Sequence, residues 1–232
     1  MAPQPTQAVS LDALGTLLWF EPPAPHLRTA LRERLAVEVP EDLAAEAIRA
    51  EIAYYRAHLH EGRDAESLAD LRRRSAAVMG PVLGIEADLT DILLASLRFH
   101  AYPDAAPALR ALRERGLRLV VVSNWDVSLH ERLEETGLAP LVDGAVASAA
   151  LGHAKPERAV FERALAVAGV PAEAALHVGD SPREDVEGAR AAGLRAVLLV
   201  RAGGRGAVPA GVPTIASLSE LPAHCAYASS AP

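Results

Sequence analysis

The sequence predicts an α/β fold, a doubly wound parallel sheet that carries an all-α insertion after its first strand. Three observations predict it. Beyond residue 104, helix-patterned stretches end at a glycine and lead into short apolar runs, four times in succession. Between residues 21 and 100 the chain is instead rich in Ala, Leu, Arg and Glu at helical spacing. The apolar runs also end in polar, chemically capable side chains, and open parallel sheets bind their ligands at those strand ends.

The elements follow in order. Residues 8–11 read as a buried strand that ends at Asp12 and is broken by Gly15-Thr16. Helices are expected at 26–35, 41–58, 65–79 and 89–99. Pro40 ahead of Glu41-Asp42 places acids at the positive end of a helix dipole. Gly80-Pro81 and Gly84 punctuate the third helix. Then come a helix at 105–115 closed by Gly116 and a strand at 119–122. A helix at 127–136 closed by Gly137 leads to a strand at 144–148. A helix at 157–168 closed by Gly169 leads to a strand at 174–178. A helix at 183–192 closed by Gly193 leads to a strand at 196–200. Such continuous apolar runs suit parallel strands covered on both faces. A strand at 213–215 and a helix from Ser217 complete the fold, with Ser217-Leu218-Ser219-Glu220 as a capping box. A frayed tail is expected at 226–232. Residues 1–20 and 101–232 thus form the α/β core domain, and residues 21–100 the helical domain.

Composition narrows the class. The 232 residues are half hydrophobic and carry a formal charge of -7, which opposes a nucleic-acid partner. One cysteine, Cys225, allows neither an intrachain disulfide nor a multi-cysteine metal site. The N-terminus lacks a basic stretch followed by an apolar run, and no apolar stretch is long enough to span a bilayer. The expectation is a cytoplasmic protein, monomer or homodimer, that acts on a small molecule and engages no membrane. Abundant Ala and Arg point to a GC-rich genome. Of the 23 basic residues only Lys155 is a lysine, which marks a position where a compact ammonium is needed and a planar guanidinium does not fit.

The strand ends bring Asp12, then Ser123-Asn124, then Gly179-Asp180-Ser181, with Lys155 opening the helix after the third strand and Asp185 one helical turn past Asp180. Singly these are ordinary cap and turn residues, and Ser181 ahead of Pro182 reads as an N-cap with proline at N1. Together they form a series. Leu11-Asp12-Ala13-Leu14-Gly15-Thr16-Leu17, Val120-Val121-Val122-Ser123-Asn124, Gly152-His153-Ala154-Lys155-Pro156-Glu157 and Val178-Gly179-Asp180-Ser181-Pro182-Arg183-Glu184-Asp185 occur in that order, with the helical stretch between the first two.

In this the sequence resembles the haloacid dehalogenase superfamily, whose members are mostly phosphatases. The resemblance implies that Asp12 is a nucleophile that forms an aspartyl intermediate. It implies a Mg²⁺ ion held by Asp12, Asp180 and the backbone carbonyl of Leu14, with Asp185 acting from the outer shell or through water. Ser123 and Lys155 are implied as catalytic groups that steady the anionic substrate and neutralise Asp12. Thr16 and Asn124 join Ser123 and Lys155 as implied substrate contacts. The helical domain is implied to be a mobile cap that selects the substrate.

One position departs from the family pattern. Its phosphatases carry a second Asp two residues after the nucleophile, which protonates the leaving group and then activates water. Here that position is Leu14. Leucine transfers no proton, and the lost step is typically worth ~10²–10⁴-fold in rate. Related families that lack this Asp expel halide, enamine or nucleoside diphosphate, which need little protonation. Either the substrate has a good leaving group, or the acid comes from the cap, where His58 and His60 are candidates. A metal-independent 2-haloacid dehalogenase is the alternative, with Arg28, Arg32 and Arg34 near the position of that family's cap arginine. Dehalogenases replace the metal-binding Asp of the fourth motif, however, and this chain keeps Asp180 and Asp185. Three acids beside one lysine repel one another without a cation, so Mg²⁺ and phosphoryl transfer are favoured. A binding or regulatory protein that has lost turnover is the third reading. Trp19 and Trp125 read as packed aromatics, Arg72-Arg73-Arg74 as a solvated helix face, and Gly203-Gly204-Arg205-Gly206 as a flexible loop.

Overall fold

The computed structural model describes residues 5–201 and 210–225. The expected tail at 226–232 and the glycine-rich loop at 203–206 lie outside the described residues. The chain divides into two units: Met1–Trp19, Ala101–Asn124 and Ser128–Pro232 form one, Phe20–His100 and Trp125–Val127 the other.

In chain order, β1 (Ala8–Leu11) and β2 (Leu18–Phe20) precede five helices: α1 (Pro23–Leu35), α2 (Glu41–His58), α3 (Ala65–Ala77), α4 (Met79–Leu83) and α5 (Thr90–Ser96). Then follow β3 (Phe99–Ala101), α6 (Ala105–Glu114), β4 (Arg118–Ser123), α7 (Leu129–Glu135), β5 (Gly144–Ala147), α8 (Ser148–Leu151) and α9 (Arg158–Ala168). The chain closes with β6 (Ala175–Gly179), a π-helical segment Pro182–Glu187, α10 (Gly188–Ala191), β7 (Arg195–Leu199), β8 (Thr214–Ile215) and α11 (Leu221–His224).

Six strands form one parallel sheet in the order β5-β4-β1-β6-β7-β8. The chain winds outward from β1 to β4 and β5, then returns to the other side of β1 at β6. The switch point therefore lies at the carboxyl ends of β1, β4 and β6, where doubly wound sheets bind ligands. Register fixes what arrives there: Leu11 pairs with Val121 of β4 and Val178 of β6, so the next residues of all three strands emerge together. Apolar continuity explains why these strands are central. Val9, Leu11, Leu119, Val121 and Val122 have no exposed surface, as expected for strands covered on both faces. On one face Val122, Val160, Phe161 and Leu198 belong to a single buried cluster.

The helical unit has its own core. Leu27, Ala30 and Leu31 of α1 recur at i, i+3 and i+4 and pack in one cluster with Ala44, Ala47 and Ile48 of α2, Met79, Ile92 and Leu93. Asp64 caps α3, accepting from the Ser67 amide at 2.8 Å, while the Asp64 amide donates to Ser67 Oγ at 3.1 Å.

Several boundaries differ from the sequence expectation. β2 and β3 form a two-stranded sheet. Three-residue strands carry too little alternation to register, and Phe99 read instead as the end of an apolar helical run. The third helix stops at Ala77 and a separate turn, α4, begins at Met79, while the fourth is only Thr90–Ser96. Ser148 opens α8 rather than ending β5, and Lys155 lies in the turn before α9 rather than on it. The stretch after β6 begins as a π-helical turn, and the final helix begins with a 3-10 turn, Leu218–Glu220.

Candidate active site

Asp12 follows β1 directly, and its amide extends the ladder by donating to the Val178 carbonyl at 2.9 Å. Its side chain is buried, and Oδ1 receives hydrogen bonds from Lys155 Nζ at 2.5 Å and Ser123 Oγ at 3.2 Å. Lys155 Nζ also donates to Asp185 Oδ1 at 2.6 Å. The lone lysine thus bridges two carboxylates with 2% of its side chain exposed.

Asn124 explains how the lysine is aimed. Its Oδ1 accepts from the Lys155 amide at 2.7 Å and its Nδ2 donates to the Lys155 carbonyl at 3.0 Å. Nδ2 also reaches Glu184 Oε2 at 3.3 Å. Both ends of the Asn124 amide therefore hold the Lys155 backbone. Thr16 has no exposed surface, and its Oγ1 has no hydrogen-bond partner among the described residues.

Asp180 lies just beyond β6, and Asp185 on the π-helical turn that follows. The wider turn suits a carboxylate folded back toward its own strand, and π-helical turns recur at functional sites. Asp185 Oδ2 accepts from the Ser181 amide at 2.9 Å, and Oδ1 accepts from Lys155 and from His177 Nε2 at 3.1 Å. A Cβ at Gly179 would lie 2.1 Å from Asp185 Cγ, so only glycine permits this fold-back. A Cβ at Gly15 would lie 2.2 Å from Asp180 Oδ2, and Gly15 has φ +89°, so glycine is required there on two counts.

Carboxylate oxygens of Asp12, Asp180 and Asp185 all lie within 4.8 Å of one another. The electrostatics follow from that crowding. Burial pushes the Asp12 carboxyl above its ordinary pKa, against the pull of Lys155. Asp180 is exposed at its surface edge but packed beside the buried Asp12 and Asp185. Desolvation, then the charges of Asp12 and Asp185, push its carboxyl up to about 7. At Asp185 burial opposes ionisation, but Lys155 and His177 outweigh it and hold the carboxyl below its usual range. Burial would lower the Lys155 pKa, but Asp12 and Asp185 outweigh burial and keep the ammonium charged.

The donor set fits a hard divalent cation. It is all oxygen, it includes two acids pushed toward protonation, and Asp180 makes no ion pair among the described residues. Asp185 already serves Lys155, His177 and the Ser181 amide, which suits an outer rather than a direct role. Leu14 is 36% exposed, and its side chain carries no proton to give.

One feature escaped the sequence reading. His177, with no exposed surface, bonds Ser10 Oγ through Nδ1 at 2.8 Å and Asp185 through Nε2. It stands edge-on to Phe161 with ring centroids 5.1 Å apart. A histidine inside an apolar strand was the available signal. Of the proposed cap acids, His58 stacks on Tyr54 with centroids 4.1 Å apart, and its Nδ1 bonds the Tyr54 carbonyl at 2.7 Å. His60 lies in a 3-10 turn, Leu59–Glu61.

A doubly wound parallel sheet with three carboxylates, a lysine and a serine converging at its switch point defines a class of hydrolytic α/β core. The chain belongs to the haloacid dehalogenase-like hydrolases: the family model of that description matches residues 6–193. Curated relatives include a haloacid dehalogenase-like hydrolase domain-containing protein 3 of Bos taurus, 42% identical over 95 residues, covering 41% of this chain and 38% of that protein. A phosphoserine phosphatase of Thermus thermophilus is 41% identical over 105 residues, covering 45% and 42%. The matches thus span about two fifths of these relatives' length. Among solved structures, a HAD phosphatase from Thermococcus onnurineus and a 2-haloacid dehalogenase from Pseudomonas syringae are each 26% identical with a TM-score of 0.66. Each covers 94% of this chain and 97% of its own.

Proposed function

We propose that this protein is a Mg²⁺-dependent phosphohydrolase whose natural substrate is a small phosphorylated metabolite with a good leaving group. The observation that carries the reading is the convergence of Asp12, Asp180 and Asp185 within 4.8 Å beside a single buried ammonium. Such crowding is stable when a cation joins it, whereas halide displacement from carbon requires none.

In this reading Asp12 attacks phosphorus through the oxygen not bound by Lys155 and Ser123. Lys155 holds Asp12 ionised and, with Ser123, offers donors to the phosphoryl oxygens. Asp12, Asp180 and the Leu14 carbonyl would hold Mg²⁺, and Asp185 would orient Lys155. The bound cation would offset the repulsion between an anionic nucleophile and an anionic substrate. The α/β core, residues 1–20 and 101–232, carries the chemistry, and the helical part, residues 21–100, serves as the substrate-selecting cap. Leu14 supplies neither an acid for the leaving group nor a base for water, so the reading favours aryl and acyl phosphates over alkyl esters.

The test is turnover of p-nitrophenyl phosphate with Mg²⁺ and with EDTA, alongside 2-chloropropionate. Metal-dependent release of p-nitrophenolate without halide release supports the reading. Halide release that persists in EDTA would replace it with the dehalogenase alternative, for which the Pseudomonas syringae neighbour is the supporting likeness. Neither activity would favour a binding role.

A further inference from the structure

Arg201 follows β7, and Asp104 precedes α6, neither within the four sequence motifs. The guanidinium meets Asp104 through both of its terminal nitrogens, Nη1 to Oδ2 at 3.1 Å and Nη2 to Oδ1 at 2.9 Å. Its remaining donors turn to the segment after Asp12: Nη2 donates to the Thr16 carbonyl at 2.7 Å and Nε to the Gly15 carbonyl at 3.3 Å. The same plane lies 3.6 Å from the Tyr102 ring centroid, and the Tyr102 amide donates to the Leu17 carbonyl at 2.9 Å. Asp104 is itself held by Ser217 Oγ at 2.7 Å and the Leu218 amide at 2.9 Å.

This is unlike an exposed ion pair, whose worth is typically ~0–1 kcal/mol. Both side chains are more than four-fifths buried, at 17% and 18% exposure, and two of the contacts are to backbone carbonyls of one loop. That loop is otherwise tied mainly to itself: the amides of Thr16, Leu17 and Leu18 all donate to the Ala13 carbonyl, and the Gly15 amide to Leu18. Gly15 is also the residue that abuts Asp180. Only a planar fork of donors can serve a carboxylate and two carbonyls at once while stacking on a ring, which lysine cannot do.

We propose that Arg201, braced by Asp104, is a positioning residue that clamps the loop 13–17 and so sets the Mg²⁺ affinity of the site. The inference rests on the metal reading above for its second half, while the clamp itself stands on the loop contacts alone. It acts through the backbone of Gly15 and Thr16 and touches no substrate.

Two readouts test it, with Arg201→Lys and Asp104→Asn as independent variants. Amide hydrogen exchange of residues 13–17, measured without metal, is expected to accelerate in both variants at unchanged exchange in β4 and β6. Direct calorimetric titration with Mg²⁺ is expected to show affinity lowered about 10- to 100-fold, the usual effect of losing a group that orients metal ligands. The KM for p-nitrophenyl phosphate should stay near wild type at saturating Mg²⁺. Asp180→Asn is the control. If it abolishes Mg²⁺ binding while Arg201→Lys binds as wild type, the link to the metal is overturned and the metal reading survives. If Asp180→Asn binds Mg²⁺ normally, the metal reading fails, and the metal half of this inference with it. Unchanged exchange at 13–17 in both variants overturns the clamp whatever the metal does.

Discussion

Lys155 is where a single residue says most. Its Nζ reaches two buried carboxylates at 2.5 and 2.6 Å, so charge alone does not define the position. A guanidinium is broader and planar, and no space remains for it at 2% side-chain exposure. Lys155→Arg is therefore expected to lose at least about 10²-fold in kcat, comparable to removal of one electrostatic donor. A near wild-type rate would show that an ammonium is not required. Lys155→Met removes the ammonium from between two buried acids and should destabilise the fold by about 3–5 kcal/mol, measured by urea denaturation at neutral pH. The importance of Lys155 was legible in the sequence because it is the one lysine among 23 basic residues. Arg201 was illegible for the opposite reason: nothing in the sequence separates it from the other arginines, and its partners lie far along the chain.

Leu14 gives the second test at this scale. With the residue 36% exposed, an aspartate there has room and access to water. Leu14→Asp should raise kcat/KM for alkyl phosphates by about 10²-fold or more, as expected for a restored proton-transfer group, and change aryl phosphates much less. Equal effects on both would remove the argument from the missing acid.

Among the elements, α2 carries an unexpected acid. Glu51 is buried at 4% exposure on the helix face that also holds Ala44, Ala47 and Ile48, and burial pushes its pKa up to about 7. One turn on, Tyr55 donates to Asp126 Oδ2 at 2.7 Å. Because the folded state holds the Glu51 proton more tightly than the unfolded chain, stability from this group is greatest below pH about 4.5. It falls as pH rises toward about 7, and the full penalty remains above that. Glu51→Gln should thus stabilise the protein at pH 8, by on the order of 3 kcal/mol at most, and give no gain near pH 4. Denaturation curves of both proteins at the two pH values decide it. A gain of equal size at pH 4 would show that the proton is not the cause.

The long elements were legible because their period is sustained: α2 runs Glu41–His58, the range read from sequence alone. β2 and β3 were not, since three residues show no alternation. The π-helical turn at Pro182–Glu187 was read as an ordinary helix start because a π turn and an α turn share the same cap, with Ser181 Oγ accepting from the Glu184 amide. The difference lies in the fold-back of Asp185, a tertiary constraint.

For the whole molecule, the fold was readable from the alternation of glycine-closed helices and apolar runs, and the first, second and fourth motif residues lie at the carboxyl ends of three adjacent strands. Among the described residues no helix is long and apolar enough to cross a membrane. Fold-level likeness does not separate the two chemistries, because a phosphatase and a dehalogenase resemble the chain equally well. The site does bear on that choice, through an acidic cluster suited to a cation and the absence of a proton-transferring side chain at position 14.

Those two features make a joint kinetic claim. If Asp12 attacks phosphorus and no carboxylate activates water, the covalent aspartyl phosphate should form faster than it is hydrolysed. Rapid mixing of the enzyme with p-nitrophenyl phosphate and Mg²⁺ measures this directly, with the quenched protein mapped by mass spectrometry. The account predicts a burst of p-nitrophenolate close to one per enzyme and phosphorylation at Asp12, both absent in EDTA. Linear release without a burst, no phosphoryl group on Asp12, or a label on another residue would contradict it.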